Sequence, residues 1–281
     1  MAPHCAKYAQ DESRATCHNH RMRRSLWCVI GLLSLANAAA CSNSETEPSS
    51  PVAPSSTADA SPADTGSTPV HEAPLSLARC GGEQREPVSI TDTIAKINAL
   101  APANGPCVVA SLPRPLKVVA TMGSLSAQPA DGAKSPRFFF LLPKLVVSAV
   151  PSGAGSEVLE FGEWVGETRT IKGELALPVN EAVATDAPLT RVLDSMAEGT
   201  ACRSCHRDEI RHDTIPNAFV SMAFRPEPGQ GVLLADLQKL HDTCTAEKDT
   251  SARCDMFHAL FDFGEVQQGA FATKVETFLI H

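Results

Sequence analysis

Residues 42–76 set the first limit on what this chain can become. The run is mainly Ser, Pro, Thr, Ala and Glu and has no apolar periodicity. It cannot bury enough surface to offset the entropy of ordering, so it is expected to stay disordered. A flexible coil of about 35 residues has an r.m.s. span of roughly 30–35 Å, and prolines lengthen it. The 281 residues therefore divide into a leader (1–41), a tether (42–76) and a folded part from residue 77 onward. The folded part is long enough for a packed core and for one or two domains.

The leader has an internal order. Met22-Arg23-Arg24 is basic, and Leu26 to Ala40 is apolar apart from Ser34 and Asn37. That stretch is too short to cross about 30 Å of hydrocarbon as a helix but suits a signal peptide over residues 22–40. Residues 1–21 have no role in such a peptide, so Met22 is the expected start. Ala38-Ala39-Ala40-Cys41 closes the segment. It resembles the lipobox of bacterial lipoproteins, with Ala38 where leucine is usual. The resemblance implies cleavage before Cys41, a diacylglycerol on its thiol and attachment to a membrane by that anchor. Ser42 resembles outer-membrane sorting, facing the periplasm or the cell surface. Ordinary secretory cleavage, with Cys41 incidental, is the alternative.

The chain carries 24 Lys/Arg and 32 Asp/Glu, a net charge of -8, and the leader holds more bases than acids. The remainder is thus more acidic still, which argues against a nucleic-acid partner. Ten cysteines in an exported chain point to disulfides or a covalent cofactor.

Two regions are expected beyond the tether. From 77 to 184 the pattern suits strands: Leu116–Thr121, Phe138–Leu142, Leu145–Val150, Val158–Val165 and Arg169–Val179, punctuated by Pro143, Gly162, Gly166 and Gly173. Short strands between Gly/Pro turns predict an antiparallel sandwich-like region or small barrel. Cys80 and Cys107 bracket its start and are expected to pair. From 185 to 281 the period becomes helical. Asp186 and Pro188 open one stripe (Leu189, Val192, Leu193, Met196), which Gly199 ends. Leu233, Leu237, Leu240, His241 and Cys244 form a second, and Cys254, Phe257, His258 and Phe261 a third. A Cys244–Cys254 disulfide would staple the last two helices. The fold class expected is α+β, with the sandwich-like region followed by a mainly helical one.

Cys202-Arg203-Ser204-Cys205-His206 is C-x-x-C-H. Two thiols three residues apart on one helical turn can meet two substituents of a single porphyrin, and the next residue falls under the iron. Here the chain resembles the c-type cytochromes, over the pentapeptide and its helical surroundings. The resemblance implies one haem c held by thioethers at Cys202 and Cys205, His206 as proximal ligand, a cytochrome c-like C-terminal region and one-electron exchange with a redox partner protein that the sequence does not identify. Met222 and His258 are the candidates for the distal ligand, though for each the stronger reading is a packed residue, Met222 of the core and His258 of a helix face. Met256 and His241 are further alternatives. No Met-Pro follows His206, and Arg207–His212 replaces the usual glycine-rich stretch.

The pentapeptide also suits three chemistries without haem. It could hold a local disulfide, a metal bound by Cys202, Cys205, His206 and His212, or a thiol redox pair. The acidic run Glu157, Glu160, Glu163 and Glu167 reads as a solvated strand face or a cation site. Phosphate-loop, serine-nucleophile and zinc-helix motifs are absent. Two functions therefore stand: a haem-bearing electron carrier of the cell envelope, and a disulfide-stabilised surface lipoprotein that binds a ligand without haem.

Overall fold

The computed structural model describes residues 73–82 and 85–278. The signal peptide, Cys41 and nearly all of the tether lie outside the described residues. The described part begins with three helices, α1 (Leu75–Ala78), α2 (Ile90–Leu100) and α3 (Gly105–Ala110). Ser89 caps α2 by accepting from the Asp92 N–H, and Ile90, Ile94 and Ile97 form its buried stripe. Asn104 caps α3 in the same way through the Cys107 N–H. Cys80, after α1, is joined to Cys107 in α3 with 5.2 Å between their Cα atoms.

A five-strand antiparallel meander follows: β1 (Leu116–Thr121), β2 (Arg137–Leu141), β3 (Leu145–Ala149), β4 (Val158–Trp164) and β5 (Arg169–Ala176). Pro143 sits in the tight turn between β2 and β3, where the missing N–H costs nothing. Gly166 turns β4 into β5 at φ +91°, a conformation that favours glycine.

The remaining elements are α4 (Ala187–Arg191), β6 (Ile210–Arg211), β7 (Phe219–Met222), β8 (Phe224–Arg225), β9 (Gly231–Val232), α5 (Leu234–Glu247), α6 (Ala252–Phe261), β10 (Val266–Gln268) and β11 (Glu276–Thr277). β7 pairs with β5 and β6 with β7 at one edge, and β10 and β9 both pair with β1 at the other. The result is a nine-stranded sheet of order β10-β1-β2-β3-β4-β5-β7-β6, with β9 beside β1. β8 and β11 form a separate parallel pair.

The cross-strand register explains the two faces. Val118, Phe140, Val147, Phe161 and Gly173 lie in one row across the sheet. This face is apolar and packs against the helices. Phe257 of α6 meets Phe138 edge-on, with 5.9 Å between ring centroids. A Cβ on Gly173 would lie 3.0 Å from the Pro188 side chain, so glycine lets α4 seat closely on β5. The opposite face carries Arg137, Ser148, Glu160, Lys172 and Glu174, and it is linked by hydrogen bonds. Arg137 donates to Glu160 (2.6 Å) and to Ser148 (2.9 Å), and the buried Gln128 donates to the Val158 carbonyl (2.7 Å).

This architecture overturns the expected fold class. The chain is mixed α/β around one large sheet, and the C-terminal part is not a mainly helical, cytochrome c-like region. β6, β7, β9 and β10 from that part complete the sheet begun by β1–β5, and three helices precede the first strand. β6 and β9 have two residues each and β10 has three. Such strands are too short to display a period of two. The helix expected from Asp186 onward stops at Arg191, after which Leu193 bridges back to Thr200. α5 and α6 form an antiparallel hairpin whose Cys244 and Cys254 are joined across 5.5 Å between Cα atoms. Among the described residues, no helix is long and apolar enough to cross a membrane.

Candidate functional site

The C-x-x-C-H residues occupy a turn between α4 and β6. Ala201–Ser204 is a short 3-10 helix, opened by Thr200, whose hydroxyl accepts from the Cys202 N–H at 3.2 Å. The Cys205 and His206 N–H groups both donate to the Cys202 carbonyl, at 3.1 and 2.8 Å. One tight backbone turn thus carries both cysteines and the histidine. Glu209 braces the turn from behind, accepting from the Thr200 N–H at 2.7 Å and from its hydroxyl. Arg203 ties it to the preceding loop through the Glu198 carbonyl (2.8 Å) and Asp194 (3.1 Å).

His206 is held firmly. Its Nδ1 lies 2.7 Å from the Met222 carbonyl in β7, a contact that requires Nδ1–H as donor and leaves Nε2 as the ring's lone pair. Phe224 stacks on the ring with 5.3 Å between centroids, and Phe278 backs Phe224. The Met222 N–H donates to the Arg207 carbonyl at 3.1 Å, which locks the turn to β7.

The electrostatics favour neutral groups. Burial pushes the Cys202 thiol up to about 12, helped by the charge of Glu160. Burial lowers His206 to about 3, and the charge of Lys172 lowers it further. Lys172 itself falls to about 8, chiefly by burial. A thiol held this high is a poor nucleophile, so Cys202 does not supply the stabilised thiolate that a thiol redox pair needs. A thioether carries no charge, and a neutral imidazole is the form that ligates iron.

Cys202, Cys205 and His206 share one backbone turn. The structure brings Met222 to His206 only through the backbone carbonyl on the Nδ1 side, behind the ring as seen from Nε2. It does not bring His258 there: α6 packs on the helix side of the sheet, whereas Cys202 lies near Lys172 and Glu160 on the other face. His212 turns away, its Nδ1 accepting from the Thr214 and Ile215 N–H groups at 3.2 Å. The acidic run disperses as well. Glu160 pairs with Arg137, Glu163 accepts from the Ile90 N–H at the start of α2 (2.8 Å), and Glu167 meets Lys274 (2.7 Å).

Sequence reasoning misses Thr200, Glu209 and Lys172. Strand alternation puts Thr170, Lys172 and Glu174 on one face of β5, but nothing in the pattern says which loop returns over it. A cleft of about 320 Å³ beside α2, lined by Arg85, Lys96, Leu100 and Ser111 among others, shares no residue with the turn. No family model matches the chain, and no curated protein or solved structure matches it.

Proposed function

We propose that the chain is an exported lipoprotein, anchored through Cys41, whose 202–206 turn carries one covalent c-type haem for electron transfer in the cell envelope. The observation that carries this reading is the 2.7 Å contact between His206 Nδ1 and the Met222 carbonyl. A ligating histidine commonly donates its other N–H to a carbonyl, which fixes tautomer and ring orientation and raises basicity at the ligating nitrogen. Here the carbonyl belongs to a sheet strand, and Phe224 holds the ring against rotation.

The rest of the turn suits attachment. Cys202 and Cys205 carry thiols, whereas the other four described cysteines are in disulfides. Each S–H can add across one vinyl group, a step that consumes no oxidant. The turn's own hydrogen bonds fix the backbone between the two cysteines, and burial at Cys202 penalises a thiolate but not a thioether. Leu193 and Met196 stand 36% and 86% exposed in the loop leading into the turn, and they offer apolar cover to a porphyrin edge. The haem, once bound, supplies the one-electron chemistry. The chain's residues bind it, orient it and limit its contact with water.

A specific observation favours the second reading, a disulfide-stabilised surface binding module without haem: the sheet architecture is unlike that of small cytochromes. One experiment separates the two. The chain is expressed in a host that attaches haem c, beside a control cytochrome, and a denaturing gel is stained for haem peroxidase activity. A stained band that disappears in Cys202→Ala/Cys205→Ala is the expected result. An unstained band beside a stained control overturns the haem reading and makes both cysteines structural.

A further inference from the structure

We infer that His241, His258 and Asp262 form a binding site for a single divalent transition-metal cation of the zinc type, distinct from the C-x-x-C-H turn. The inference does not rest on the haem reading. His241 projects from α5, His258 projects from α6, and Asp262 ends α6. His258 and Asp262 are four residues apart, so one helical turn sets both on the same side. Cys244 and Cys254 join the same two helices, and His241 and His258 follow as the next layer toward the open end of the hairpin.

The donor atoms already converge. His241 Nε2 lies 2.8 Å from Asp262 Oδ1, and His258 Nδ1 lies 2.7 Å from Asp262 Oδ2. All three donor atoms lie within 4.8 Å of one another. His241 and Asp262 are each only 1% exposed and His258 12%, so His258 forms the entrance. Two imidazoles and one carboxylate are the ligand set of many sites that hold zinc and its neighbours, with a fourth position left for water. The surrounding charge is favourable: Asp242 lies 3.7 Å from His241 Nδ1, and Asp255 interacts with His258. Three carboxylates thus surround two imidazoles, and a divalent ion compensates that excess.

An outer shell is also in place. Gln238 Nε2 lies 3.1 Å from His241 Nδ1 and 3.0 Å from Asp242 Oδ1. When Nε2 binds the metal, the ring's single proton, which faces Asp262 on Nε2, passes to Nδ1. Asp242, whose Oδ1 lies 3.7 Å from Nδ1 and accepts from Gln238 Nε2, is then the carboxylate placed to draw close and accept from Nδ1–H. From the hydrogen-bonded clamp, the donor atoms need part only slightly to take a metal, since tetrahedral ligands at about 2.0–2.1 Å from zinc stand roughly 3.3 Å apart. The ion would tie α5 to α6 by a link that survives reduction of the disulfide.

The test uses the full chain, stripped with a chelator, and titrates it with Co²⁺ and Zn²⁺ chloride. One equivalent of Co²⁺ giving visible d–d absorption, displaced by Zn²⁺, is expected, with a rise in melting temperature on adding Zn²⁺. Asp262→Asn and His258→Gln should each weaken binding by more than about 100-fold, because loss of an outer-shell partner alone typically costs 10–100-fold. Cys202→Ala/Cys205→Ala should leave it unchanged, which separates this site from the turn. Absence of saturable uptake overturns the inference, as does uptake that persists in both ligand variants or vanishes in the cysteine variant. The melting rise in the unaltered chain needs no variant to fold, so its absence is decisive alone.

Discussion

Phe257→Ala tests whether the two halves of the folded chain share one core. Phe257 comes from α6, late in the sequence, and is fully buried. Its ring meets Phe138 of β2 at 5.9 Å, and Phe138 in turn lies 6.0 Å from Phe140. Truncation removes a buried ring and leaves a cavity between helix and sheet, at a cost of about 3–5 kcal/mol. A single domain of this size loses about 2–4 °C of melting temperature per kcal/mol, so the expected drop is about 6–20 °C. Calorimetry of the unaltered chain should show one transition, and the variant should shift all of it. A sandwich-like region folding apart from a helical one gives a different result: two transitions, with the one belonging to residues 77–184 unmoved. That outcome would refute the single-sheet reasoning, because β1–β5 would then be stable without α6. It would also detach the 202–206 turn from the strands that position His206.

Two further changes probe the turn. Lys172→Met should stabilise the chain by about 1–3 kcal/mol at pH 7, because the native state carries a largely buried charge there. The folded pKa is lowered to about 8 from 10.5, so between those values the unfolded state binds the proton and the native state does not. Stability of the unaltered chain therefore rises across that window, and the advantage of methionine should shrink from pH 8 to 10.5 in thermal melts; an advantage independent of pH would show that burial of the ammonium is not its source. Gly199→Ala places a Cβ 2.6 Å from Glu209 Oε1 at a φ of +125°, so the carboxylate must leave Thr200. A loss of about 1–3 kcal/mol is expected, and under the proposed haem reading attachment falls as well, while Gly229→Ala, whose added Cβ meets nothing within 4 Å, should be neutral in urea titrations.

What the sequence discloses depends on the distance over which each signal acts. β1 to β5 are visible because each has at least five residues and is bounded by a turn residue. α5 and α6 are visible because their stripes repeat over two or more turns. α2 is legible too: Ser89 three residues before Asp92, then Ile90, Ile94 and Ile97, is a capped helix that a strand reading of the whole stretch passes over. The sheet's edges are not legible. β6, β9 and β10 are strands only because β7 or β1 offers an unpaired edge, and a partner supplied by tertiary structure leaves no trace in a run of two or three residues.

The same distinction governs the two sites. Cys202, Cys205 and His206 stand out because their chemistry is local, a spacing along one turn. What positions the turn is long-range: the Met222 carbonyl on β7, Phe224 beyond it, and Lys172 and Glu160 on strands laid down earlier in the chain. His241, His258 and Asp262 reverse the case. The sequence offers His258 and His241 only as distal-ligand candidates for a haem, and nothing in it joins them to each other or to Asp262. The cluster exists only because the Cys244–Cys254 pair and the apolar seam set α5 against α6 with these positions facing. A motif search therefore finds the first site and passes over the second, although the donor groups of the second already lie within hydrogen-bonding distance of each other. The C-x-x-C-H turn is a local device that the sheet orients, whereas the histidine cluster is a product of the fold itself. Substitutions that loosen the α5–α6 hairpin should therefore disable the cluster before they reach the turn.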